Sequence, residues 1–326
     1  MRRGVLAAVV AGGLLMAGCG QDDLTSTSGA QASAAAAPAL AGATVAAPKL
    51  PATVTDKAGK AVTVADISRI VVLNGDIAEI VFALGLGPKV VATDTSATFP
   101  AEAKALPKVG YQRTLSAEGI LSQRPTVVLG DESAGPPAVL EQIHAAGTPV
   151  VALATAKTLE APAAKVRAVA AALGVGADGE RLAAKVDAEI ADARRPLARV
   201  GTTPRVAFLY VRGTSTMMIG GKGSGVDAKI AGAGGIDAGT EAGLVNFAPL
   251  TAESLVAANP DVLLLLRAGL ESVGGVDGVL GLPGVAQTAA GQARRVLAYD
   301  DLYLVGLATR TGPALAELVR DLHPGI

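Results

Sequence analysis

One stretch of this chain is written twice. Leu115 to Leu129 reads LSAEGILSQRPTVVL, and Leu250 to Leu264 reads LTAESLVAANPDVLL, at a constant offset of 135 residues. Both copies predict the same local structure. Ser116 or Thr251 supplies the side-chain oxygen of a helix N-cap. The glutamate two residues later sits in the electropositive first turn. Pro125 or Pro260 stops the helix, and the apolar run that follows suits a buried strand. A duplicated helix–strand unit constrains the chain to two similar lobes. Core packing needs no charge in that first turn, yet Glu118 and Glu253 stand there, so each lobe displays a carboxylate at an equivalent place.

The rest of the chain alternates in keeping with this. Thr53 to Val64 has β-formers around an Asp/Gly turn and predicts a hairpin. Short apolar strands at Ile70–Leu73, Val90–Thr93, Thr126–Leu129 and Pro149–Leu153 are separated by helical stretches at Ile77–Leu84 and Pro137–Ala146. Strands interleaved with helices imply βα units and mostly parallel sheets. From Glu160 to about Val200 the pattern is helical, with a break at Gly174-Val175-Gly176. Leu182, Val186 and Ile190 recur on one face, which suits a rigid connector between two α/β halves. The second half restarts with a strand at Arg205–Val211. A glycine-rich loop, Gly220–Gly225, leads into a helix from Val226. The strands Val262–Leu266 and Val296–Leu297 follow, and Gly312–Leu322 forms a final helix.

With 326 residues and a net charge of -1, the chain has room for two domains. It lacks the basic face that nucleic acid requires. The first eighteen residues have the form of an export signal: Arg2 and Arg3, then the apolar run Val5–Ala17, too short to span a bilayer. Leu15-Met16-Ala17-Gly18 before Cys19 resembles a bacterial lipobox, which would make Cys19 the lipidated mature N-terminus and anchor the protein to a membrane. Cys19 is the sole cysteine, so no intrachain disulfide can form. Gln21 to about Pro48 is rich in small residues and reads as a tether. The expected organisation is therefore a signal at 1–18, a lipidated N-terminus and linker at 19–50, and an N-terminal α/β lobe at 51–174. A connecting helix at 175–200 and a C-terminal α/β lobe at 201–326 complete it.

Catalytic chemistry finds little support. The two histidines, His144 and His323, are expected at the surface, and no three-histidine metal cluster exists. The glycine-rich loop lacks the Gly-Lys-Ser/Thr of a phosphate cradle, although it could still present a helix N-terminus to an anion. The informative site is Gly110-Tyr111-Gln112-Arg113, a loop that enters the first repeat. A phenolate suits ferric iron, and tyrosine is a known axial haem ligand. A free phenol titrates near pH ~10, so a neighbouring cation such as Arg113 would favour the phenolate.

The run from Pro107 to Ser122, PKVGYQRTLSAEGILS, resembles the haem-binding subunits of bacterial haem ABC importers, within the group of cobalamin- and ferric-siderophore-binding proteins. The similarity extends from about Thr53 to the C-terminus. It takes in Arg69-Ile70-Val71-Val72, the connector, and Phe208-Leu209-Tyr210-Val211-Arg212-Gly213. The resemblance implies an α/β fold of two Rossmann-like lobes joined by one long rigid helix, with ligand in the cleft between them. It implies that Tyr111 ligates the iron of haem b, carried as cargo, and that Arg113 hydrogen-bonds the tyrosine oxygen. Glu118 and Glu253 would dock arginines of an ABC permease dimer that works with its ATPase. An upstream haem donor would complete the chain of partners. Some members have a second axial ligand from the other lobe. The corresponding loop here offers Met217 and Met218, expected to pack on the macrocycle or supply a thioether, and Arg212 could meet a propionate. The chain would then be an extracytoplasmic lipoprotein with no catalytic activity. The alternative is a ferric-siderophore or corrinoid carrier on the same scaffold.

Overall fold

A computed structural model of the chain describes residues 47–325. The export signal, Cys19 and nearly all of the tether lie outside the described residues. The first elements are the hairpin strands β1 (Ala52–Thr55) and β2 (Ala61–Val64), paired antiparallel. Asp56 closes their turn by accepting the Lys60 N–H at 2.8 Å.

The first lobe is built on four strands, β3 (Ile70–Val72), β4 (Val90–Thr93), β5 (Val127–Asp131) and β6 (Val150–Leu153). They run in the order β4-β3-β5-β6 and every pairing is parallel. Successive residues feed opposite faces, as the pleat requires. Ile70, Val72, Val127 and Leu129 enter one apolar cluster. Val71, Leu73 and Val128 enter another, which packs the repeat's Leu115 and Ile120.

The second lobe has a mixed sheet. Its strands are β7 (Arg205–Arg212), β8 (Thr216–Gly220), β9 (Ile236–Asp237), β10 (Phe247–Pro249), β11 (Val262–Leu266) and β12 (Val296–Tyr299). The order is β10-β8-β7-β11-β12, with β9 beside the start of β7. Strands β7, β11 and β12 are parallel. Strands β8 and β10 are antiparallel additions that the sequence reading passed over as loop.

Helix Gly176–Arg194 packs against helix Ala161–Ala172 on the first-lobe side and helix Thr311–Leu322 on the second. Small residues permit the approach. A Cβ at Gly179 would stand 2.3 Å from the Cβ of Ala170, and one at Gly312 would stand 2.5 Å from the Cβ of Glu189. Leu182, Val186 and Ile190 are buried along this helix. They belong to a cluster that also holds Ile70 and Leu129 of the first sheet and Phe208 and Leu264 of the second. The lobes therefore share one continuous core, and a shared close-packed core resists relative sliding.

Candidate functional site

In parallel α/β sheets ligands gather beyond the carboxyl ends of the strands. Tyr111 stands there in the first lobe. Pro107–Val109 runs beside β4, with the Thr93 N–H donating to Pro107 at 3.0 Å and the Val109 N–H donating to Thr93 at 2.9 Å. The Lys108 ammonium donates to Thr93 Oγ1, Ala97 O and Ala103 O, which fixes the surrounding loop. Gly110 then turns the chain at φ 108°, a left-handed value that excludes most side chains. The far side of the loop is tied to the end of β5, where the Gly135 N–H donates to Gln112 O and the Leu115 N–H donates to Gly135 O. The Tyr111 backbone is held on both flanks while its side chain is 48% exposed.

A polar chain runs from Gln112, next to Tyr111. Gln112 Nε2 donates to Ser133 Oγ at 3.2 Å. Ser133 donates from both N–H and Oγ to Asp131 Oδ1. Asn74 Nδ2 donates to Asp131 Oδ2 at 2.8 Å, and Asn74 Oδ1 caps helix Gly75–Ala83 by accepting from Asp76 N. Asp94, at the end of β4, is buried, and burial pushes its carboxyl above the usual range despite its hydrogen bonds from Ser96. Arg113 is exposed, and no hydrogen bond joins it to the Tyr111 oxygen in this structure.

The second lobe presents an aromatic face. Phe208, Tyr210 and Arg212 alternate along β7, so they share a side of the sheet. Phe247 on β10 meets Phe208 and Tyr210 edge-on, with ring centroids 6.0 and 5.9 Å apart. The Arg212 guanidinium lies 4.7 Å from the Tyr210 ring centroid and pairs with Asp301. Met218 sits opposite Tyr210 in the β7–β8 register, on this same face. Met217 points to the other side, into the second-lobe core. Sequence reasoning missed Tyr210. The signal was present: Tyr210-Val211-Arg212 repeats the Tyr-x-Arg of Tyr111-Gln112-Arg113.

A model of the periplasmic binding protein family matches residues 70–303. The chain belongs to that family. Among solved members, the periplasmic heme-binding protein RhuT from Roseiflexus sp. RS-1 is 56% identical, covering 78% of this chain and 98% of its own, at a TM-score of 0.77. BhuT, solved in complex with two hemes, is 40% identical over 78% of this chain and 97% of its own, at a TM-score of 0.74. The heme-binding protein HmuT is 36% identical over 86% of this chain and 92% of its own, at a TM-score of 0.80. The uncharacterized ABC transporter substrate-binding lipoprotein YvrC of Bacillus subtilis (strain 168) is 24% identical over 100% of this chain and 97% of its own.

The other sequence-derived residues of this family member fall as follows. Glu118 and Glu253 are exposed in the first turns of helices Ala117–Leu121 and Ala252–Ala258, capped by Ser116 and Thr251. His144 is exposed as expected. His323 is not: it is 4% exposed, with Nε2 held at 2.9 Å from Ala233 O, because the end of the last helix packs against the turn that closes helix Val226–Gly232. The glycine-rich loop presents no free N-terminus, since Asp227 accepts the Gly223 and Gly225 N–H groups itself at 2.8 and 2.9 Å. Among the described residues no His/Cys/Asp/Glu group has the geometry to hold a metal ion.

Proposed function

We propose that this protein is an extracytoplasmic haem carrier that binds ferric haem b between its lobes and hands it to an ABC permease. The observation that carries the reading is Tyr111, an exposed tyrosine on a backbone cradle pinned from both sides at the carboxyl end of a parallel sheet. Tyr111 supplies a hard oxygen ligand for iron, and Arg113 stands two residues away as the partner the family motif assigns to it. Tyr210 supplies a second oxygen from the other lobe, with Arg212 in the corresponding role. Phe247 and Met218 add apolar surface for the porphyrin. One feature of spacing supports the pairing. Solved HmuT variants replace by alanine a histidine, a tyrosine ninety-nine positions further on and an arginine two beyond that. Tyr111, Tyr210 and Arg212 keep those same intervals. The lipidated Cys19 would hold the carrier at the membrane, and Glu118 and Glu253 would seat it on a two-fold permease.

A corrinoid cargo is the second reading, favoured by relatives named vitamin B12-binding protein, one of them from Vibrio parahaemolyticus at 26% identity over 44% of this chain. A corrinoid carries its own axial chemistry and makes no demand on Tyr111. Titration with hemin and with cyanocobalamin separates the two. The haem reading expects a Soret shift with hemin and no saturable binding of cobalamin. The reverse pattern overturns it.

A further inference from the structure

The segment Asp301–Arg310 of the second lobe lies across helix Gly75–Ala83 of the first and is held from two directions. From its own lobe, the buried Lys229 ammonium donates to the carbonyls of Tyr303, Leu304 and Gly306 at 3.0, 2.7 and 2.5 Å. From the opposite lobe, Asp76 accepts the Leu307 N–H at 3.1 Å while paired to Lys165 at 2.8 Å. Glu79 accepts from Thr309 Oγ1, Arg310 N and Arg310 Nε at 2.6, 2.8 and 2.8 Å. Glu79 is 2% exposed and Arg310 is 6% exposed, and the Arg310 guanidinium lies 3.6 Å from the Phe99 ring centroid of the first lobe. A buried ion pair is an expensive way to gain stability alone. Its position suggests a different purpose. The same segment begins with Asp301, which holds the Arg212 guanidinium over the Tyr210 ring. The Asp76 backbone N–H also donates to Asn74 Oδ1, and Asn74 continues through Asp131 and Ser133 to Gln112, the neighbour of Tyr111.

Resting on the haem reading above, we infer that Glu79 and Asp76 are positioning residues for the opposite lobe's Tyr210. They act through the 307–310 backbone, Asp301 and Arg212, and so set the separation of the two tyrosine ligands. The network links the ligand loops across the lobe junction with side chains whose partners are fixed. Such a path becomes a coupling only when perturbation at one end is felt at the other.

The test is a hemin titration of the unaltered protein, Glu79→Gln, Asp301→Asn, Tyr210→Phe and the doubles Glu79→Gln/Tyr210→Phe and Asp301→Asn/Tyr210→Phe. The readouts are the Soret and phenolate-to-iron charge-transfer bands together with hemin affinity. Glu79→Gln and Asp301→Asn should each weaken hemin binding about tenfold, the scale of an outer partner of a metal ligand. Both should move the bands toward those of Tyr210→Phe, and neither should lower affinity further in the Tyr210→Phe background. Bands that stay at wild-type positions, or equal losses in both backgrounds, overturn the inference. Asp301 is partly exposed, so its variant carries the test even if Glu79→Gln fails to fold. A Soret shift absent from the unaltered protein overturns the haem reading and this inference together. A normal shift that ignores both Glu79→Gln and Asp301→Asn overturns this inference alone.

Discussion

In the first lobe Arg69, at the threshold of β3, donates to the carbonyls of Gln123 and Arg124 at the end of the repeat helix. In the second, Arg205 at the start of β7 donates to Ala258, the equivalent carbonyl. The Arg69 N–H is received by Thr126 Oγ1 and the Arg205 N–H by Asp261 Oδ2. Arg124 and Asn259 both take positive φ, one residue before the proline. The duplicated unit thus includes the arginine staple that holds each glutamate-bearing helix against the sheet. Beyond the carboxyl ends of the sheets the lobes part company. The first offers a pinned loop with one outward tyrosine. The second offers a strand face of Tyr210 and Arg212, backed by buried Phe208 and widened by the antiparallel β8 and β10. What is duplicated suits a partner with two-fold symmetry, and what differs suits one asymmetrically held ligand.

Reversing the charge of the duplicated carboxylates is the strongest way to break this comparison. Glu118→Lys and Glu253→Lys should each abolish haem uptake in cells while leaving hemin affinity in solution at the wild-type value. If only one reversal blocks uptake, the two-fold docking account fails. The staples come next. Arg69→Ala and Arg205→Ala should lower unfolding free energy by similar amounts, about 1.5–3 kcal/mol for hydrogen bonds from a charged donor. Urea melts that show one arginine silent would end their equivalence.

The last test sharpens what is not duplicated. Burial pushes the Lys229 ammonium down to about 7, against an unfolded value near ~10.4. Below pH 7 the lysine is protonated in both states and its burial penalty is constant. Between those values the unfolded chain holds more protons, so stability should rise with pH, by up to about 1.4 kcal/mol per unit. Lys229→Met should remove that slope. Parallel curves for the two proteins from pH 7 to pH 10 would contradict the assignment.

Much of the fold was legible because its signals are local. Caps, prolines and apolar runs mark the repeat, and the four-residue spacing of Leu182, Val186 and Ile190 marks the connector. Strands β8 and β10 were not legible, since Thr-Met-Met-Ile-Gly and Phe-Ala-Pro become strands only through pairing with β7 and with each other. Tyr210 was hidden inside Phe208-Leu209-Tyr210-Val211, which reads as a buried strand until its two faces are told apart. Asp76, Glu79 and Arg310 carried no sequence signal at all. Glu79 and Arg310 are 231 residues apart, a separation no periodicity reports.

The central claim is that one iron is held by a tyrosine from each lobe. The most direct measurement is the charge-transfer band of the hemin complex in the unaltered protein, in Tyr111→Phe, in Tyr210→Phe and in the double variant. Each single variant should retain a weakened, altered phenolate band, with affinity at least about tenfold lower, and the double variant should have none. A band of wild-type position and intensity in either single variant would contradict two-sided ligation. A phenolate band that survives in the double variant would take both Tyr111 and Tyr210 off the iron.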